Sequence, residues 1–389
     1  MIYALPYCIV TILIFSLTLI PKQAGIVQYK FLPRYSIIVF LLFFIGCRGF
    51  IVTDWVSYYP YYKKVPSVFD SSLSKFLNSW QWEKGFLLYS SILKTISSNY
   101  FVFQFISFFI DLVILDKIFR EYVDFKYYGM AFLLFFVFQG FVIEVNLLRN
   151  SKAFMIFLLS LKYVRQRNPI KYFFMIFLAC LFHISSVIYF PVYFILEKHL
   201  SKKVLLILFF LGNFIYFFHI EWIARLLNLV APVFGNSRIG IMLNSYGLIS
   251  GKFSSYSFGI GFFERSFTFF MALKFYDKVE NEKRDIVPFF NVLFIFIFIY
   301  LYFAEVGILV ERITLLFVWG YPIVYPFIYS RIKRRDNKFV FLFATFVYAI
   351  LKMIIQCDEP NYAYTNALIE YQDYVYRKSI IDKTIKNNL

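Results

Sequence analysis

The sequence predicts an all-α polytopic membrane protein, with about 11–13 transmembrane or half-membrane helices and large external loops enclosing an outward-facing polar cavity. Two observations carry this fold class. Apolar residues make up 61% of 389 positions and charged residues only 16%, against roughly 25% charged in a soluble domain. The apolar residues also come in blocks of about 15–20 rather than as amphipathic stripes, the pattern of bilayer spans. A net charge of +17 invites a nucleic-acid reading. The basic residues are dispersed between the blocks, however, so orientation in a membrane accounts for them and no nucleic-acid partner is expected. The cysteines, Cys8, Cys47, Cys180 and Cys357, lie in or beside apolar runs without paired spacing, which gives neither a disulfide framework nor a zinc site.

In chain order the blocks fall near 2–20, 35–47, 100–116, 128–144, 151–163, 172–183, 186–196, 204–219, 259–276, 287–303, 309–329 and 339–355. The first lacks a basic stretch before it and a small-residue cleavage site after it, so it reads as a retained span. Six links at 21–34, 117–126, 162–171, 197–203, 274–285 and 331–338 hold 22 of the 40 Lys and Arg. Short basic links belong on the cytoplasmic side. That arrangement turns the amino terminus outward and makes 48–99 and 220–258 external loops. The tail at about 356–389 is then external too, and its end reads as a surface helix that frays. Residues 85–97, "GFLLYSSILKTIS", must lie along the outer surface or re-enter. Residues 172–196 are either a tight hairpin of two short helices turning near His183 or one 25-residue span that would invert the rest of the chain. No internal repeat and no boundary is visible, so residues 1–389 read as one integral membrane domain.

Polar residues on the outward side are the candidates for chemistry. Arg48 and Asp54 open the first loop in "RGFIVTDWVSYY", and Glu83 lies in "SWQWEKGF". Glu144, Asn146 and Arg149 share "FVIEVNLLRNSKAF", while His183, Ser185 and Ser186 form the turn "LFHISSV". Glu264–Arg265 and Glu311–Arg312 sit inside apolar blocks. An ionisable group within a span costs about 2.5–3.5 kcal/mol on insertion scales, so such groups face a cavity or one another. Each also has a bland reading. The two Glu–Arg pairs could tie helices together, and Asp54 could cap a helix beginning at Trp55. His183 could be a hydrogen-bonded interior histidine, Arg149 could bind lipid phosphate, and the tyrosines of "YYPYY" could be interfacial anchors. The pair Asp358–Glu359 reads as solvated. No Asp-x-Asp pair lies in a loop, and no Gly-rich phosphate loop, His-x-x-x-x-Asp or Gly-x-Ser-x-Gly motif occurs. Nucleotide-sugar transfer, ATP-driven transport and serine-hydrolase chemistry therefore lack support, and no cofactor or metal is expected.

The ordered set Arg48-Gly49, Thr53-Asp54, Tyr58-Tyr59, Glu83-Lys84-Gly85-Phe86, Asn146, Arg149, Ala153, Phe182-His183 and Ser185 resembles the EpsG family of bacterial exopolysaccharide proteins, regarded as Wzy-like polymerases. The family often has Arg-Gln where this chain has Arg149-Asn150. The resemblance implies polymerisation of repeat units at the outer face of the bacterial plasma (inner) membrane. A glycan held on undecaprenyl diphosphate would be transferred to a lipid-linked acceptor, among membrane lipids and with a chain-length regulator as a further partner. On that reading Arg149 and Arg312, assisted by Arg48 or Arg265, hold the diphosphate. Asp54, or else His183, accepts the acceptor hydroxyl's proton. Glu83 orients the acceptor or supports an arginine, Asn146 lines the substrate site, and Tyr58 and Tyr59 stack on sugar rings. The alternatives are a glycosyltransferase using a polyprenyl monophosphate donor, which would want an acidic pair for a metal, and a non-catalytic transporter or flippase of lipid-linked glycans.

Overall fold

The computed structural model describes residues 2–19, 32–235, 237, 240–241, 256–369 and 372–388. Residues 21–31 of the first basic link and 242–255 of the second external loop lie outside them. Among the described residues the chain is helical, with one isolated antiparallel bridge between Arg48 and Asn366 and no strand. Two helical stretches, Phe125–Asn146 and Arg335–Cys357, are long and apolar enough to cross a membrane. Two further pairs would qualify if each were one bent span: Lys202–Phe217 with Trp222–Phe234, bent by 87°, and Gly307–Thr314 with Val318–Arg331, bent by 40°. The shorter apolar helices are Leu5–Leu19, Pro33–Gly46, Pro169–Cys180, Ile184–Leu196 and Val287–Tyr302. The chain is a membrane protein whose apolar blocks are largely short or broken.

The residues gather into two compact units, Met1–Tyr193 with Tyr325–Leu389, and Phe194–Val324. The sequence shows no such boundary because both crossings fall inside apolar runs, where composition does not change.

In the first unit α1 (Leu5–Leu19) packs on α2 (Leu32–Leu41), on α7 (Tyr128–Phe135) and on α18 (Arg335–Cys357). The continuation of α7 is broken twice. At 136–140 the helix kinks, because Phe138 (φ −91°, ψ 67°) and Gln139 (φ +71°, ψ −12°) leave helical geometry. Then α8 (Phe141–Asn146) gives way at Leu147, with φ −119° and ψ 55°, to α9 (Leu148–Arg165). A break of this kind interrupts the i→i−4 hydrogen-bond ladder and bends the helix sharply.

Residues 172–196 form a hairpin. On one continuous helix Tyr172 and Tyr193 would be about 30 Å apart. Their rings are instead 4.9 Å apart, and the Tyr172 hydroxyl donates to Tyr189 O at 2.8 Å. The first arm, α10 (Pro169–Cys180), starts cleanly because Asn168 caps it and Pro169 needs no amide partner. The return arm ends in α11 (Tyr189–Leu196).

The segment 48–99 is far more ordered than a loop. It folds into α3 (Trp55–Lys64), α4 (Leu73–Ser79) and α5 (Lys84–Ile96). These close over a core of Phe50, Trp55, Tyr58, Tyr61, Tyr62, Phe86, Tyr100 and Phe103, the last two from α6 (Tyr100–Tyr122). The carboxyl-terminal tail ends in the expected, largely exposed helix and is anchored ahead of it. Tyr362, Tyr364, Asn361 and Thr365 bond to or stack on residues 7 and 43–52, and Arg377, on α19 (Tyr374–Asn388), is 2% exposed.

In the second unit α12 (Lys202–Phe217) packs on α15 (Val287–Tyr302), where Gly212 lets the Tyr302 ring approach: a Cβ there would meet that ring at 2.8 Å. Small residues permit such close helix approach in membranes. Glu305, fully buried, caps α13 (Trp222–Val230) by accepting from Ile223 N and Ala224 N at 2.9 and 2.8 Å. The remaining elements of this unit are α14 (Ile260–Glu282) and α16 (Gly307–Thr314), with α17 (Tyr321–Arg331) leading back to the first unit.

Candidate active site

The break between α8 and α9 sets the site. Because the helix yields at Leu147, Asn146 and Arg149 flank the bend and reach different neighbours. Asn146 Oδ1 accepts from Thr53 N at 3.1 Å, Thr53 Oγ1 at 3.3 Å and Asp54 N at 2.8 Å, which fixes the entry to α3. Arg149 Nη1 donates to Glu83 Oε2 at 2.7 Å, and its Nε donates to the Tyr58 hydroxyl at 3.4 Å. The guanidinium lies over the Trp82 ring, 4.7 Å from its centroid. A cation over an indole gains about 0.5–2 kcal/mol while its remaining N–H groups stay available. The Arg149 side chain is 22% exposed, so it is held but not enclosed.

Glu83 joins three elements. Oε2 holds Arg149, and Oε1 accepts from Ile184 N at 3.2 Å. The tip of the 172–196 hairpin therefore docks beside Arg149, and Phe86 N donates to Leu181 O at 3.2 Å in the same contact. The approach is close because residue 85 is glycine: a Cβ there would stand 2.7 Å from Leu181 O. His183 occupies the turn, half-buried. Its Nδ1 accepts from Ser185 N at 3.2 Å and lies 2.7 Å from Ser185 Oγ. An Nδ1 that accepts an N–H leaves Nε2 as the protonated nitrogen of the neutral ring.

Asp54 is the least satisfied of these groups. It holds the N-cap position of α3 but makes no capping hydrogen bond. Burial pushes its carboxyl up to about 6, opposed by the positive charge of Arg149. Tyr58, one turn along the same face, is pushed up to about 12 for the same reason and is a hydrogen-bonding phenol at neutral pH. Nothing in this geometry supports the capping role that the sequence allows for Asp54.

Comparison with protein-family models decides the family. The model described as the EpsG family matches residues 31–372, nearly the whole chain. The chain belongs to the EpsG family. No curated protein and no solved structure matches it. Membership makes this EpsG-family protein one of an exopolysaccharide-related polymerase and glycosyltransferase group.

Within this EpsG-family protein the site residues expected from sequence divide. Asp54, Tyr58, Glu83, Asn146, Arg149 and the His183 turn are linked in the first unit by the contacts above. Arg48 is placed differently: it is 1% exposed, and it donates to the carbonyls of Ile45 at 2.8 Å and Glu144 at 3.1 Å. Its guanidinium braces backbone and presents no face to a ligand. The tyrosines of 58–62 are also occupied. Tyr58 lies against Trp82 and Phe86, Tyr61 against Trp80 and Trp82, Tyr62 on Phe103, and Tyr59 is stacked on Tyr374 at 5.1 Å. Their ring faces build the core in place of sugar platforms. In the second unit Arg265 lies over the Tyr300 ring at 3.9 Å, Glu264 accepts from Thr268 and Tyr321, and Glu311 and Arg312 are exposed. Glu144 is buried and faces Asp111. Beside it Lys152, one turn beyond Arg149, donates to Ser107 O at 2.7 Å and pairs with Asp111. Sequence reasoning missed Trp82, although "SWQWEKGF" sets it next to Glu83. It also missed the Ile184 amide, which no side-chain pattern can reveal.

Proposed function

We propose that the protein is a polysaccharide repeat-unit polymerase. It transfers a glycan from a polyprenyl diphosphate donor to a lipid-linked acceptor at the outer side of the plasma membrane. One observation carries the reading: a half-buried carboxylate without a capping bond, Asp54, lies within electrostatic reach of a partly exposed arginine, Arg149, which Glu83 and Trp82 hold in place.

In the transfer, Asp54 accepts the proton of an acceptor hydroxyl while that oxygen bonds to the anomeric carbon of the donor glycan. The bond from that carbon to the phosphate oxygen breaks, and its electron pair leaves with the polyprenyl diphosphate. Arg149 offers its remaining N–H groups to the phosphate oxygens as that charge develops, the moment at which a pre-placed donor accelerates a reaction most. A base with pKa near 6 is ionised at neutral pH yet still basic enough to share a proton in the transition state. His183, with Nδ1 committed to Ser185, suits the role of an Nε2–H donor to phosphate and leaves Asp54 as the base. Glu83 sets the angle of the guanidinium. The step draws on no residue of the second unit, where Arg312 and Arg265 lie.

The test is transfer from a purified lipid-diphosphate-linked repeat unit by Asp54→Asn and Arg149→Lys proteins recovered from membranes at wild-type levels. Both should lose polymer formation. Polymer of wild-type length and yield from either variant removes that residue from the transfer chemistry. Transfer abolished by a chelator would favour the monophosphate-type, metal-using alternative.

A further inference from the structure

The carboxyl-terminal tail makes an arrangement that the transfer chemistry leaves unexplained. Val52, two residues before Asp54, has φ +65°. A β-branched residue in this left-handed region is a steric outlier, because its branched Cβ crowds the backbone carbonyl. Such strain persists only where surrounding bonds over-determine it, and it concentrates at functional positions.

The bonds that impose it come largely from the tail. Val52 N donates to Asn361 O at 2.9 Å, Gly49 N donates to Thr365 O at 2.8 Å, and Cys47 O accepts from Ala367 N at 2.8 Å. One side chain ties both strands of this clamp together. Arg377, 2% exposed, donates from Nε to Phe50 O at 3.0 Å and from Nη2 to Ala363 O at 3.1 Å and Asn361 O at 3.4 Å. On the far side of the strained residue, Trp55 Nε1 donates to Val52 O at 3.1 Å and Asn146 Oδ1 takes the amides of Thr53 and Asp54. The turn carrying Asp54 is therefore gripped from behind by the tail and from the front by the α8–α9 break.

We infer that Arg377 is a positioning residue for Asp54: it locks the tail against residues 49–52, and the tail in turn holds Val52 in the left-handed turn that presents Asp54 to Arg149. The inference rests on the reading of Asp54 as the base. An arginine suits this task because one planar head spans carbonyls of two chain segments in fixed directions, which the point charge of a lysine cannot do. Released from the clamp, Val52 would relax to negative φ, and the following peptide would swing the Asp54 carboxylate off its line to Arg149. Glycine occupies φ near +65° without steric cost, so Val52→Gly should make the clamp dispensable.

The experiment uses full-length protein in lipid nanodiscs, as Arg377→Lys, Arg377→Met and each of these combined with Val52→Gly. Two quantities are followed: amide hydrogen exchange of residues 49–57, and the pH dependence of glycan transfer. Arg377→Lys should exchange faster over 49–57, transfer at least tenfold more slowly and show a displaced acid limb. Adding Val52→Gly should restore protection and most of the transfer. If Arg377→Met fails to fold, the lysine variant and its rescue still decide the matter. Exchange over 49–57 unchanged in Arg377→Lys overturns the clamp, and restored protection without restored transfer overturns the positioning role of Arg377. Faster exchange that Val52→Gly reverses, with transfer at the wild-type rate throughout, upholds the clamp and removes Asp54 from the chemistry, so the two readings fail separately.

Discussion

Two acidic residues of the first unit, Asp54 and Asp116, stand at the edges of apolar runs and are treated in opposite ways. Asp116 is saturated. Arg34 grips it with Nε at 2.8 Å and Nη2 at 2.6 Å, Arg120 donates at 3.0 Å, and the Tyr128 hydroxyl donates to the same carboxylate. Asp54 has no capping bond and meets Arg149 only through space. Arg149 in turn is paired to Glu83 and Tyr58 yet stays 22% exposed. At Asp116, where charge serves the fold, every acceptor direction is filled. At Asp54, the proposed base, a valence is kept open beside a fixed cation, at the expense of stability.

The comparison can be broken most sharply at Asp54. Asparagine there should slow transfer about 10²–10⁴-fold, the usual worth of a general base. The same change should raise stability at neutral pH. A carboxyl whose pKa is raised on folding, from 3.8 to about 6, favours the fold below its unfolded value and loses that contribution as pH rises through the folded value. Removing the charge avoids that loss. A thermal melt at pH 7 should therefore show a gain on the order of 1–3 kcal/mol, and a melt showing destabilisation would make Asp54 another structural acid.

Next in size is Arg149→Lys. It keeps the charge and loses the planar fork, so transfer should fall about 10²–10³-fold, with membrane levels unchanged on immunoblots. Glu83→Gln should cost less, about tenfold in kcat/KM. Its Oε1 can still accept the Ile184 amide while the charge against Arg149 is lost. At the other extreme, Asp116→Asn should leave the rate per folded molecule alone. It should instead lower stability by about 3–5 kcal/mol, because Arg34 loses a half-enclosed partner. A rate change with intact stability would erase the distinction between the two regions.

Much of this contrast is legible in the sequence. Arg120 stands four residues after Asp116, a helical ion-pair spacing, whereas four residues after Asp54 comes Tyr58. The helical, membrane-embedded class follows from block length alone. Asn146, Arg149, Glu83 and Asp54 can be selected as polar residues beside or between apolar runs. Arg48 cannot be separated from Arg149 in this way, since both follow an apolar run and only the fold reveals that Ile45 and Glu144 carbonyls consume the former. The tyrosines of 58–62 mislead for a similar reason. An aromatic that packs in a core and one that meets a sugar have the same composition, and burial alone tells them apart. The docking of residues 361–367 and Arg377 on residues 43–52 depends on backbone amides and one arginine more than 300 residues away from its target, and no local pattern reports such a pairing.

The most direct test of Asp54 as the base is the pH profile of transfer from a lipid-diphosphate-linked unit, wild type against Asp54→Asn, in the same membranes. The wild-type rate should be flat near neutrality and fall tenfold per unit below a midpoint near 6. The residual activity of the variant should show no such limb. A variant that retains both the rate and the acid limb would contradict that assignment.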